Sequence, residues 1–420
     1  MEFNRLVLNN DVDYINITTT KFKTNLIGIS FLLPLNNSYL YQLVLLSQIL
    51  IKTSASYPKE KLLSKKLNTL YDTQIFTNID KRGKMFQMTF YLHYVSNKFI
   101  PKNILDEVST LFKECLLDNS SITYEAVEKE KRLYKELIEA KSNNHTYLVI
   151  KKLYNEMFKG EDYLLMLDPE LDLINQITYE EVLEAYDYLF KNAYVFTFNV
   201  GDEPKEKVLE LFNSFNLKSG TMPLIKDQDD YLIKDKPSIF SVKNEAKQSF
   251  IAMGFRIDIH FDHPLYHSMF VLNKLLGGYF NSVLMQIIRE KYGLVYYINS
   301  EYDWYKGFGL ITAGASFENV DKTIKIINDI IDELKQGKYF DEYFEITKNQ
   351  IINDQLDMDD SLLSLIERIN RIIYLNQKEG QIDKKINKIM NLKTDDIIKC
   401  FEFIKLDTIV FLDTGEQNDY

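Results

Sequence analysis

The chain has 420 residues, more than one hydrophobic core ordinarily serves, and is expected to form two domains of roughly 200 residues each. A hydrophobic content of 45% is that of a globular protein, and a net charge of -11 argues against a general electrostatic grip on nucleic acid. The cysteines are Cys115 and Cys400, far apart in a thiol-poor sequence, which fits packed thiols in a reducing compartment better than a disulfide framework.

The amino terminus, "MEFNRLVLNNDVDY", has no basic segment followed by an apolar run, so no export signal is expected. The longest apolar stretches, such as "LVLLSQILI", are about half the length of a membrane helix. Together these predict a cytoplasmic protein. Residues 14–34 alternate as strands and 39–52 run apolar at helical spacing. Pro58 is placed to open a second helix, and the strands "DTQIFTNID" and "MFQMTFYLHY" follow, separated by the turn-prone "KRGK". Then come a helix at 103–117 and a long helix from Thr123, whose hydroxyl can cap it. A helix at 179–192, the strand "AYVFTFNV" and a helix at 204–215 close the first half.

Residues 216–237 are polar and punctuated by Gly220, Pro223 and Pro237, and they read as a linker between a domain at 1–215 and one at 238–420. The second half repeats the order of the first: a strand at 249–257, helices at 264–276 and 281–291, the strands "LVYYINSEY" and "FGLITAGAS", further helices, and the strand "TIVFLD". "LLSKKLNTLYDTQIFTNID" and "LMQIIREKYGLVYYINSEY" fall in the same slot of the two halves. The expectation is an α+β protein of two similar domains, each a mostly antiparallel sheet packed with helices, facing each other across a cleft.

Candidate chemistry is sparse. His260, His263 and His267 cluster in "HFDHPLYH", and the last two have the i, i+4 spacing of a zinc helix. Tyr266 stands where a glutamate base is needed, however, and Pro264 marks a helix start, so a loop-to-helix entrance is the better reading. The "LLGG" at 275–278 reads as a helix end with a left-handed glycine rather than a phosphate loop, and "DMDD" at 357–360 as a helix interruption rather than a calcium loop. What remains is Arg289 and Tyr296, on either side of a helix-to-strand corner at Gly293. A guanidinium fork and a phenol on one wall are suited to holding a peptide carbonyl and the charge it develops under attack. Neither is a nucleophile or a base near neutral pH, so the pair assists a reaction and does not start one.

"LNKLLGGYFNSVLMQIIREKYGLVYYINSEYDWYKGFGLITAGAS" resembles the second domain of the insulinase, or pitrilysin-like, metallopeptidases, the group that includes mitochondrial processing peptidase, and the two-copy plan extends the likeness over nearly the whole chain. In active members the first domain carries H-x-x-E-H and a later glutamate ligand, and the second supplies an arginine and a tyrosine that bind substrate. Arg289 and Tyr296 match that pair in spacing and context. The first half departs: the motif positions fall at about Leu43, Leu46 and Ser47, and Asn143 stands seven residues beyond Glu136, where the third ligand belongs. On ligand count this chain has no zinc site.

The resemblance implies a subunit without a metal or other cofactor, working as a heterodimer with an H-x-x-E-H chain that carries the zinc. A peptide or unfolded polypeptide would lie between them, with neither nucleic acid nor membrane as a partner. It is most similar to short insulinase-like proteins associated with 5-aminopentanol modification of elongation factor P and to subunits that trim leader peptides. The alternative it implies is an inactive peptidase homologue acting as a peptide-binding scaffold in either setting.

Overall fold

The computed structural model describes the chain except residues 166–167, 227–233, 245, 377–380 and 414–420, and for 381–384 it describes the helix alone. Part of the linker expected at 216–237 therefore lies outside the described residues. The fold is two helix-covered sheets. One compact unit comprises Met1–Ile138, Leu165–Ile225 and Asp359–Glu379, and the other Glu139–Leu164, Lys226–Met358 and Gly380–Tyr420.

The first unit holds strands β1 (Glu2–Val7), β2 (Asp13–Thr18), β3 (Thr24–Pro34), β4 (Gln74–Arg82), β5 (Met85–Val95) and β6 (Tyr194–Gly201), in the order β1-β2-β6-β3-β5-β4. Only β2 and β6 pair in parallel; the other neighbours are antiparallel. One face packs on helices Leu40–Leu50, Leu105–Leu117 and Tyr179–Asn192, whose buried Leu, Ile, Val and Phe side chains form a continuous core with β3 and β5. The Tyr124–Ser142 helix starts as expected, with the Thr123 hydroxyl accepting from the Ala126 N–H at 3.1 Å.

A buried polar cluster also lies in this unit. Gln87 of β5 donates to Ser30, Thr89 and, at 3.2 Å, to Asn370, and it accepts from Tyr374. Asn370 and Tyr374 belong to the Leu362–Tyr374 helix, which comes from late in the chain but is part of this unit. Buried amides and hydroxyls are tolerated there because they satisfy one another.

The second unit holds β7 (Ser238–Lys243), β8 (Ser249–Ile257), β9 (Val295–Asp303), β10 (Phe308–Ala315) and β11 (Ile404–Asp413), in the order β7-β11-β8-β10-β9, again with one parallel pair, β7 with β11. Omitting β1, this is the strand order of the first unit, so the two-copy reading of the sequence holds. The His145–Met157 helix, from the first half of the chain, lies in this unit and buries Val149, Leu153 and Met157. Gly254 of β8 permits that packing: a Cβ there would stand 2.7 Å from Met157 Sδ and 3.1 Å from Leu153.

A buried charge cluster fixes the same segment. Arg256 of β8 donates to both carboxylate oxygens of Glu161, at 2.6 and 3.2 Å, and lies 3.6 Å from Asp407. Lys306 reaches Glu161 at 2.5 Å, and the Arg256 guanidinium sits 4.7 Å over the Phe158 ring. Glu161 thus meets two cations, which offsets the cost of taking its charge out of water.

Candidate functional site

Arg289 lies in a wide helical turn, Met285–Lys291, built from i→i+5 bonds, where a regular helix is expected from 281 to 291. The turn ends at Gly293, whose φ of +61° is in the left-handed region. There the Gly293 N–H donates to the Arg289 carbonyl at 3.1 Å and the Leu294 N–H to that of Ile288 at 3.1 Å. Buried Leu294 and Val295 then anchor the start of β9, and Tyr296 follows with its side chain outward, 62% exposed. The first unit has the same corner in the matching slot, where Tyr71 takes φ +57° between its helix and β4. Leu67 and Gln74 stand there in the places of Arg289 and Tyr296.

The Arg289 side chain is 39% exposed and 3.5 Å from Glu290. Its guanidinium carbon lies 5.8 Å from the centroid of the Phe280 ring, and Nη1 is 3.9 Å from Met285 Sδ. A half-exposed pair at that separation is worth at most about 1 kcal/mol, so an incoming carbonyl or carboxylate can take over the guanidinium donors. Phe280 is 60% exposed, and Tyr292 and Tyr296, further along the same stretch of chain, are 50% and 62% exposed. Lys291 lies 5.7 Å from the Tyr292 ring. Hydrogen bonds from Lys338 and Tyr339, with the field of Lys291, hold Glu333 below the ordinary carboxylate range. Phe280 went unread in the sequence; the aromatic pair Tyr279 and Phe280 that follows the two glycines is the signal that would have pointed to it.

The positions matched to metal ligands are built for packing. Leu43, Leu46 and Ser47 are fully buried in the Leu40–Leu50 helix, and Ser47 spends its hydroxyl on the Val44 carbonyl at 2.8 Å. Asn143 is exposed just past the Tyr124–Ser142 helix. Leucine and serine side chains offer no lone pair of the kind zinc takes, so this helix does not fit the metal. Among the described residues no group of three or more His, Cys, Asp or Glu side chains is placed to hold an ion.

The histidine cluster is local structure. His263 Nδ1 accepts from the Leu265 N–H at 3.1 Å, and its ring packs edge-on against Phe403. The "LLGG" stretch needs correcting: Gly277 and Gly278 sit in a second wide turn, Lys274–Gly278, and neither is left-handed. Gly277 is there for room, since a Cβ would come within 2.8 Å of Ser300 on β9. "DMDD" is a helix interruption, with Asp359 bound to Arg368 and Asp360 to Lys21. Among the described residues no helix is long and apolar enough to cross a membrane.

Residues 176–351, which include Arg289 and Tyr296, match a family model described as the peptidase M16 inactive domain. A Bacillus subtilis (strain 168) protein named probable inactive metalloprotease YmfF is 28% identical over 404 residues, 94% of each chain. A conserved protein from Enterococcus faecalis V583 superposes with a TM-score of 0.89 at 20% identity, covering 100% of both chains. The peptidase M16 inactive domain structure from Pseudomonas fluorescens does so with a TM-score of 0.82 at 15% identity, covering 98% of each.

Proposed function

We propose that the chain, which is similar to inactive homologues of the M16 (insulinase-type) peptidases, is the non-catalytic, substrate-binding subunit of a two-chain peptidase, supplying Arg289 and Tyr296 in trans to a partner with H-x-x-E-H. The observation that carries this reading is the contrast between the halves. The Arg289 corner is solvent-accessible and its cation is only weakly engaged, whereas the helix matched to the zinc motif is closed by leucines. A guanidinium and a phenol can hold a carbonyl oxygen and its developing charge, and the hydrolytic chemistry would belong to the partner. The substrate would be an extended peptide or unfolded polypeptide, met in the cytoplasm.

The test is reconstitution. The chain alone is expected to cut nothing, and mixing it with an H-x-x-E-H subunit to restore cleavage. Arg289→Ala in the mixture should lower turnover by on the order of a hundredfold, as for loss of one oxyanion donor. A mutant mixture as fast as wild type sinks the in-trans role.

The word "inactive" in the B. subtilis relative's name also accommodates a second reading, a peptide-binding scaffold that has left catalysis, serving elongation factor P modification or leader-peptide processing. Peptide binding by the chain alone, unchanged turnover on mixing and loss of that binding in Arg289→Ala would favour it.

A further inference from the structure

The first unit has a cleft of about 290 Å³ between the segment that follows helix Leu40–Leu50 and the start of helix Tyr124–Ser142. Its floor is an ion pair, Lys52 with Glu130 at 2.6 Å, in which the glutamate is 5% exposed. Its rim carries a second pair, Lys129 with Glu60, also at 2.6 Å. Lys129 holds the Glu60 carboxyl below its ordinary range. Hydroxyls of Thr53, Ser54, Ser120 and Ser121 line the space between them, and Glu125 adds a carboxylate. Ile49, Ala55, Pro58 and Ala126 supply the apolar wall.

Three features of this lining choose a ligand. The glutamates are not a chelating set, because among the described residues no three such groups converge on an ion. Two ammonium groups and three carboxylates line one space, which suits a small molecule bearing both charges rather than a simple anion or cation. The two lysines and three glutamates leave one negative charge over, and the apolar wall suits a methylene stem. We propose that this cleft is a binding site for a free basic amino acid of the lysine or arginine class. The lysines take its carboxylate, the glutamates its α-ammonium and side-chain cation, and Ile49, Pro58 and Ala126 its stem. The cleft's volume admits one such molecule.

The test is calorimetric titration of the full chain with L-lysine and with L-arginine, beside norleucine, which lacks the side-chain cation, and cadaverine, which lacks the carboxylate. At least one of the two amino acids should saturate, with both analogues weaker by on the order of tenfold or more. Glu125→Gln and Lys129→Ala, both at exposed positions, should each weaken binding about tenfold while thermal unfolding stays that of wild type. Ala126→Leu, which fills the cleft, should abolish it. No saturable heat with either amino acid, cadaverine binding as tightly as lysine, or binding indifferent to all three substitutions would each overturn the assignment.

Discussion

Arg289 and Phe280 show how lightly a surface arginine can be held. Its partners are a neighbouring glutamate at 3.5 Å, a thioether and a ring face, all weak enough to be displaced and together enough to limit the rotamers of a long side chain. Elsewhere single residues set the protein's response to acid. Burial lowers the pKa of His93 and, with the nearby Lys226 charge, that of His260, relative to the ordinary 6.5. The unfolded chain then binds protons that the folded one resists, so stability rises with pH and is lost as pH falls below about 6.5 toward the depressed folded values. The thermal midpoint should therefore drop between about pH 7 and about pH 5, and the His93→Gln, His260→Gln double variant should show a flatter profile. An unchanged slope in that variant would assign the acid response to other groups. The Arg289–Tyr296 spacing was legible in the sequence because a glycine at the corner announces the left-handed turn. The matching corner at Tyr71 was not, since nothing about a tyrosine signals φ +57°.

At the level of elements, what the sequence conveyed was periodicity. It gave the order of strands and helices and the equivalence of β4 with β9, because alternation and helical spacing are local properties. It did not show β1 or β7, whose partial burial leaves a weak alternation. Nor did it show that the helix around Arg289 is wound wide, a matter of how the backbone packs against β9 rather than of side-chain pattern. Least legible was which sheet each amphipathic helix covers. A stripe of leucines and isoleucines declares that a helix is buried, not against what. The His145–Met157 helix depends on Gly254 for its approach to β8, so Gly254→Val should push that helix off its seat at a cost of about 1–3 kcal/mol, as overpacking does. Amide exchange concentrated in residues 145–157 would report it, and a uniform change across both units would contradict it.

For the molecule as a whole, each compact unit takes a helix from the other half of the sequence: residues 139–164 complete the second unit and 359–379 the first. The exchange in the second unit is fastened ionically. Glu161→Gln leaves Arg256 and Lys306 underpaired in a buried site and should cost about 3–5 kcal/mol, measured by denaturant unfolding. If the variant unfolds like wild type, the cluster is not what holds the segment.

The exchanged helices also set a timetable for biogenesis. When residue 225 has left the ribosome, the first sheet has all its strands, yet the polar surface around Gln87 has no Asn370 or Tyr374 to meet. At about 5–20 residues per second, the missing helix is on the order of ten seconds away. During that wait the nascent chain leaves the amides and hydroxyls around Gln87 open, beside Leu32, Phe196 and Phe198, which the strand registers place on the same face. The polar groups are wetted by water and interrupt an otherwise apolar face, which gives the buried polar cluster a use before the protein is complete.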